Sequence, residues 1–119
     1  MARTRASAKQ AGARFERSIA DFLAANLDDR IDRRVKTGSQ DKGDIGGVRT
    51  PDGRRVVIEC KDVAKINLSG WVREAHQEAE NDGAEVGVVV HKRRGTANPA
   101  DQYVTMTLSD LIALLKSGG

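Results

Sequence analysis

Four residues have the types and the spacing to do chemistry together: Glu16, Asp44, Glu59 and Lys61. Glu59 and Lys61 stand two apart in the run Arg55-Val56-Val57-Ile58-Glu59-Cys60-Lys61, whose β-branched residues predict a strand. Side chains alternate along a strand, so Glu59, Lys61 and Val57 share one face and Cys60 points to the other. Asp44 opens a second short stretch, Asp44-Ile45-Gly46-Gly47-Val48, and Thr50-Pro51-Asp52-Gly53 between the two has the residues of a tight turn. The predicted hairpin lays Asp44 across from the Glu59–Lys61 strand. Two carboxylates held together repel unless a cation neutralises them, and a hard divalent ion such as Mg²⁺ prefers oxygen ligands. A lysine beside a metal-ligating Glu can orient or help deprotonate a water and can offset charge on a scissile phosphate. These are the parts needed to hydrolyse a phosphodiester.

The elements that must position these groups follow from periodicity. Phe15, Ile19, Phe22 and Leu23 recur at helical spacing and predict a helix from about Ala11 to Leu27, with Glu16 beside the apolar stripe. Ile31 to Lys36 reads as a short edge strand, and residues 37–43 as a polar loop. Leu68, Trp71, Val72, Ala75 and Ala79 predict a second helix, from about Leu68 to Asn81. The apolar run from Glu85 to Val90 predicts a central strand covered on both faces. Tyr103 to Thr107 predicts a last strand, and Ser109 is the expected cap of a final helix through Leu115. The expected fold is α/β, an α+β mixed sheet flanked by helices in the order αβββαββα. It divides into a basic arm at 1–11, one domain at 12–116 and a flexible tail at 117–119.

A length of 119 residues fits one domain and leaves no room for a cofactor-binding module beside it. The single cysteine, Cys60, excludes an internal disulfide framework and a cysteine-based zinc site. It faces away from Glu59 and reads as a buried, inert thiol. His76 reads as a surface helix residue, His91 as a strand-end residue and Trp71 as a core anchor. No apolar run approaches the roughly 20 residues of a membrane span, so a cytoplasmic protein is expected. The net charge is only +3, but its placement is uneven. Arg3, Arg5, Lys9 and Arg14 precede the first acid, Arg33, Arg34 and Lys36 follow the first helix, and Lys92-Arg93-Arg94 form a tight run. Segregated charge of this kind suits a polyanion, and nucleic acid is the first candidate. Phe15 and Phe22 belong to the core stripe, so a base-stacking platform is not expected and recognition should rest on backbone and shape.

The helix acid, the loop-led Asp44, the hairpin and Ile58-Glu59-Cys60-Lys61, in this order, resemble the PD-(D/E)XK nuclease superfamily. Within it, Gly12-Ala13-Arg14-Phe15-Glu16-Arg17, the Gly38-Ser39 loop before Asp44-Ile45, and Ile58 to Lys61 resemble the archaeal-type Holliday-junction resolvases and their phage relatives. The resemblance implies a restriction-endonuclease-like core and a Mg²⁺-dependent endodeoxyribonuclease, with Mn²⁺ able to substitute. Asp44 and Glu59 would ligate the metal, Glu16 would complete the site directly or through water, the Cys60 carbonyl would be a further ligand, and Lys61 would act on the attacking water. Arg14, Arg33, Arg34, Lys36, Ser39, Lys42, Lys92, Arg93 and Arg94 are the candidate DNA contacts. Symmetric cutting of a four-way junction needs two active sites and so implies a homodimer; the apolar face of Leu108, Leu111, Ile112 and Leu115 could serve either the core or that dimer.

Two positions depart from the pattern. Gly43 stands where the motif has proline, and the second helix does not match the resolvase helix with its Glu-Gln pair, where Glu74, Gln77 and Glu78 are all candidates. The alternatives are another nuclease of the superfamily (restriction, repair or nicking) and a non-catalytic DNA-binding protein on the same fold.

Overall fold

The computed structural model describes residues 3–35 and 40–116; the Lys36 and Ser39 positions and the 117–119 tail lie outside the described residues. The elements follow the expected order: α1 Arg5–Asn26, β1 Asp32–Arg33, β2 Ile45–Gly46, β3 Val56–Lys61, α2 Leu68–Asp82, β4 Val86–His91, β5 Tyr103–Thr105 and α3 Leu108–Leu115. A 3-10 turn at Pro99–Asp101 comes before β5. The strands form one sheet in the order β1-β2-β3-β4-β5. Only β3 and β4 run parallel, and the other pairs are antiparallel. This five-stranded mixed sheet with three flanking helices is α+β and compatible with a restriction-endonuclease-like core.

The alternation of β3 and β4 divides the core between the two faces of the sheet. Val56, Ile58 and Cys60 of β3 and Val86, Val88 and Val90 of β4 pack with Phe15, Ile19 and Ala20 of α1, and with Ala113 and Leu114 of α3. On the opposite face Val89 packs against Trp71 and Ala75 of α2. Val57, Glu59 and Lys61 share that α2-facing side. Every residue of β4 is buried, as expected for a strand with neighbours on both edges and helices on both faces. Gly87 lets α2 approach closely, because a Cβ there would lie 2.3 Å from the Ala75 carbonyl oxygen.

Several boundaries differ from the sequence-based expectation, each for a local reason. α1 begins at Arg5 rather than near Ala11, capped by Thr4, whose hydroxyl accepts from the Ser7 N–H at 3.0 Å. Residues 5–10 lack an apolar stripe, but their Ala, Arg, Lys and Gln are strong helix formers. β2 stops at Gly46, since the register moves by one residue between Ile45↔Ile58 and the isolated bridge Arg49↔Arg55. The extra residue is taken up where Gly47 adopts φ 88°, a bulge open to glycine. The cap of α3 is Thr107, not Ser109. Thr107 and Asp110 form a reciprocal capping box, Asp110 N–H to Thr107 Oγ1 at 3.2 Å and Thr107 N–H to Asp110 Oδ2 at 3.0 Å. Among the described residues no helix is long and apolar enough to cross a membrane.

Candidate active site

The hairpin brings Asp44 and Glu59 together. Extending the Ile45↔Ile58 pair by one residue sets Asp44 opposite Glu59 on the α2-facing side. Asp44 is anchored to β3 at both ends: its N–H donates to the Ile58 carbonyl at 3.0 Å, and its Oδ2 accepts from the Cys60 N–H at 2.8 Å. The Cys60 carbonyl lies on the same edge of β3 as that N–H, toward Asp44. The approach to Asp44 also explains why glycine replaces proline before it. Gly43 has φ 93° and donates its N–H to Asp41 Oδ1 at 2.9 Å. Proline, fixed near about −65° and without an N–H, can do neither. A Cβ on Gly43 would also lie 2.7 Å from Val57 Cγ1.

α2 adds two carboxylates to this pair. Carboxylate oxygens of Glu59, Glu74 and Glu78 all lie within 4.8 Å of one another. Glu59 is 6% exposed and Glu78 4%, and Oε1 of each is buried without a hydrogen-bond partner. Lys61 Nζ lies 3.0 Å from Glu74 Oε2 and 3.6 Å from Glu59 Oε2. Of the three open candidates on α2, Glu74 and Glu78 reach the cluster, whereas Gln77 is exposed and donates to Asn81 at 3.1 Å. Glu78 was readable in principle: it occupies the buried stripe Trp71, Ala75, Glu78, Ala79, an acid where the spacing calls for an apolar residue. Asp41, which periodicity did not single out, also belongs to this neighbourhood. Its carbonyl accepts from the Asn81 side chain at 2.8 Å, docking the loop before Asp44 on α2.

Protonation equilibria report the same crowding. Burial, then the neighbouring Asp44, pushes the Glu59 carboxyl well above the usual carboxylate range. Burial, then Asp41, raises Glu78 to about 7. Burial works against the Lys61 charge, but the Glu74 hydrogen bond and the charge of Glu59 outweigh it and raise the lysine. Glu16 is raised by burial and by Asp44, against the lowering effect of Arg33, whose guanidinium lies 3.2 Å from Glu16 Oε1. Burial, with Asp44 and Glu16 behind it, also raises the Cys60 thiol, which stays neutral in the core. Desolvated carboxylate oxygens without donors, gathered beside a backbone carbonyl, fit a hard divalent cation.

The candidate DNA contacts divide. Arg14 is exposed and lines a cleft of about 310 Å³ with Arg3, Ser18, Asp62 and Lys92. Lys42 is exposed, one residue before Gly43. Arg33 lies at Glu16, within the carboxylate field. Arg34 pairs with Asp82 at 3.0 Å, and the Asp82 carbonyl accepts from Arg55 at the N-terminal end of β3, the end opposite Lys61. The Lys92 ammonium donates to the carbonyls of Arg93 and Thr96. Arg93 lies over the Tyr103 ring, 5.6 Å from its centroid. Arg94 holds Asp62 at 3.3 Å and the Val63 carbonyl at 2.7 Å, beside the end of β3.

His76 is exposed and bonds Asp110 at 2.8 Å, and His91 is buried at the end of β4, bonding the Thr105 hydroxyl at 2.7 Å. Neither reaches the carboxylate cluster. No curated protein and no solved structure matches the chain. The family described as "Phage putative PDDEXK endonuclease" matches residues 7–118, from α1 through α3 and across all four residues first singled out. With a match over nearly its whole length, the chain belongs to this PD-(D/E)XK endonuclease family.

Proposed function

We propose that the protein is a metal-dependent DNA endonuclease that resolves branched DNA, a four-way junction above all, as a homodimer. The observation that carries the nuclease reading is the meeting of Asp44, Glu59 and Lys61 on one side of the β2–β3 pair, with an unpartnered buried oxygen on Glu59. Asp44, Glu59 and the Cys60 carbonyl would hold Mg²⁺, or Mn²⁺ in its place, with Glu16 acting directly or through water. When bound, the ion supplies Lewis-acid stabilisation of phosphate charge and makes a bound water more acidic. Lys61, 3.6 Å from Glu59, holds its proton at Nζ and orients the attacking water or offsets charge on the scissile phosphate. Arg33 balances Glu16 and keeps that carboxylate beside Asp44.

Junction choice is supported by the resolvase-like runs at Gly12–Arg17 and Ile58–Lys61. Two active sites in one particle are supported by the face of α3, where Leu108 is 72% and Leu115 76% exposed, with Leu111 and Ile112 between them. These four recur at i, i+3, i+4 and i+7, so one helix stripe remains free while Ala113 and Leu114 enter the core. A direct test incubates the protein with a synthetic four-way junction and with linear duplex of the same sequence, with Mg²⁺ and with EDTA. Mg²⁺-dependent cutting of the junction well above the duplex is expected. Equal cutting of both substrates would refute junction resolution and leave a general endonuclease.

A further inference from the structure

A row of side chains crosses the sheet from Lys61 to its far edge. Lys61, the last residue of β3, pairs with His91, the last of β4, and His91 pairs with Tyr103, the first of β5. Paired residues point to the same side of a sheet, so all three share the α2-facing side at one end of it. Trp71 of α2 stands 5.4 Å from the buried His91 ring, which stands 5.9 Å from the Tyr103 ring and is fixed by its bond to the Thr105 hydroxyl at 2.7 Å. Of the four Phe, Trp and Tyr rings, Phe15 and Trp71 are buried, Phe22 is half-buried, and Tyr103 alone is exposed. Its neighbour Arg93 is also held in place. The Arg93 N–H donates to Gln102 Oε1 at 2.7 Å, and Gln102 Nε2 donates to the carbonyls of Thr96 and Asn98 at 3.1 and 2.9 Å, tying the β4–β5 connection to the start of β5. Lys92 and Arg94 are engaged with carbonyls and Asp62, whereas the exposed Arg93 guanidinium forms no ion pair among the described residues and rests over the Tyr103 ring, 5.6 Å from its centroid. An exposed aromatic on an edge strand is a liability unless it is covered or used. Here a ring and a cation are held side by side and left open to solvent.

We propose that Tyr103 stacks on an unpaired base of the DNA beside the cleavage site, while Arg93 holds the adjoining backbone phosphate. The inference rests on the reading that the protein cuts DNA at Lys61. Two strand spacings, about 10 Å, separate the Lys61 and Tyr103 backbones, which is about three base steps at roughly 3.4 Å each. A base within about three nucleotides of the scissile phosphate therefore reaches the ring. Inside a duplex both faces of a base are covered by its neighbours, so only an unpaired base at a branch or strand end offers its face to Tyr103. One ring is too few for a platform that stacks successive bases of a single strand, and enough to favour a branch point over continuous duplex. Phosphate contacts alone, which a plain duplex offers as well, do not make that distinction.

The test measures binding of a labelled forked duplex with unpaired arms, and of fully paired duplex of the same sequence, in EDTA and again with Ca²⁺ to neutralise the carboxylates. Wild type is compared with Tyr103→Ile, which keeps a β-branched residue on the strand and removes the aromatic face, and with Tyr103→Phe, which keeps the face and removes the hydroxyl. Thermal unfolding checks that each variant is folded. Tyr103→Ile should raise the Kd for the fork by about tenfold or more and that for the duplex by less than about twofold, with Tyr103→Phe within about threefold of wild type on both. A fluorescent adenine analogue in the unpaired arm should be quenched by wild type and Tyr103→Phe and not by Tyr103→Ile. If Tyr103→Ile binds the fork as wild type does, or loses fork and duplex equally, the stacking site is overturned and the DNA reading stands. Tyr103→Phe as weak as Tyr103→Ile also overturns it, in favour of a hydroxyl contact. No binding of either DNA by wild type overturns both this inference and the DNA reading beneath it.

Discussion

At the scale of residues, Glu59 concentrates the tension in the molecule: folding removes its carboxylate from water, sets it beside Asp44 and Glu78, and leaves Oε1 without a donor. Such an arrangement is costly to fold. Glu59→Gln should therefore stabilise the protein by about 1–3 kcal/mol in EDTA, read as a higher urea midpoint, while removing cleavage. A lower midpoint would show that the negative charge of Glu59 holds the fold together. Glu59, Lys61 and Asp44 were legible in the sequence because strand alternation and one Pro-Asp-Gly turn are enough to bring them to one face. Glu78 was one of three open candidates with Glu74 and Gln77, because an acid on a helix stripe usually lies at its solvated margin; only the packing of α2 against Gly87 shows it to be buried. The missing motif proline likewise has a physical cause, the φ of 93° at Gly43, visible only in the folded chain.

At the scale of elements, the site is framed by how closely α2 approaches the sheet. Gly87→Ala puts a Cβ 2.3 Å from the Ala75 carbonyl, so α2 must move. The expected result is a loss of about 1–3 kcal/mol in urea unfolding, because the packing of α2 on the sheet is loosened. Unchanged stability would mean that the approach has slack. The capping box of α3 gives a pH signature. Burial works against the Asp110 charge, but hydrogen bonds from His76 and from Thr107 outweigh it, so its pKa lies below the usual value. A depressed carboxylate contributes stability above its unfolded pKa and loses it as pH falls through the folded one. Asp110→Asn should therefore be less stable than wild type at neutral pH, and the difference should shrink below about pH 4. A difference that does not change with pH would assign the cap to geometry without charge. Long, periodic elements such as α1, β3, α2 and β4 were legible from sequence. The two-residue strands β1 and β2 were expected to be longer, since the bulge at Gly47 and the loop at 40–43 set their ends, not residue type.

At the scale of the whole molecule, a chain of 12.9 kDa is too small to enclose a duplex, and the α3 stripe of Leu108, Leu111, Ile112 and Leu115 is an exposed apolar surface among the described residues, the one the homodimer proposal invokes. The sequence already showed this stripe but could not say whether it faces the core; the packing of Ala113 and Leu114 inward turns it to solvent. Light scattering should give wild type twice the 12.9 kDa mass and Leu115→Glu the mass of one chain, with the fold unchanged because Leu115 is exposed. A wild-type monomer at every concentration would remove the homodimer. The proposed function turns on whether the carboxylate–lysine cluster cleaves DNA. The most direct measurement is Mg²⁺-dependent strand cleavage of a labelled junction by wild type, Glu59→Ala and Lys61→Ala under identical conditions. Cleavage by wild type that stops in EDTA and falls about 10²-fold or more in both variants is predicted; Mg²⁺-dependent cleavage that survives both changes would contradict it.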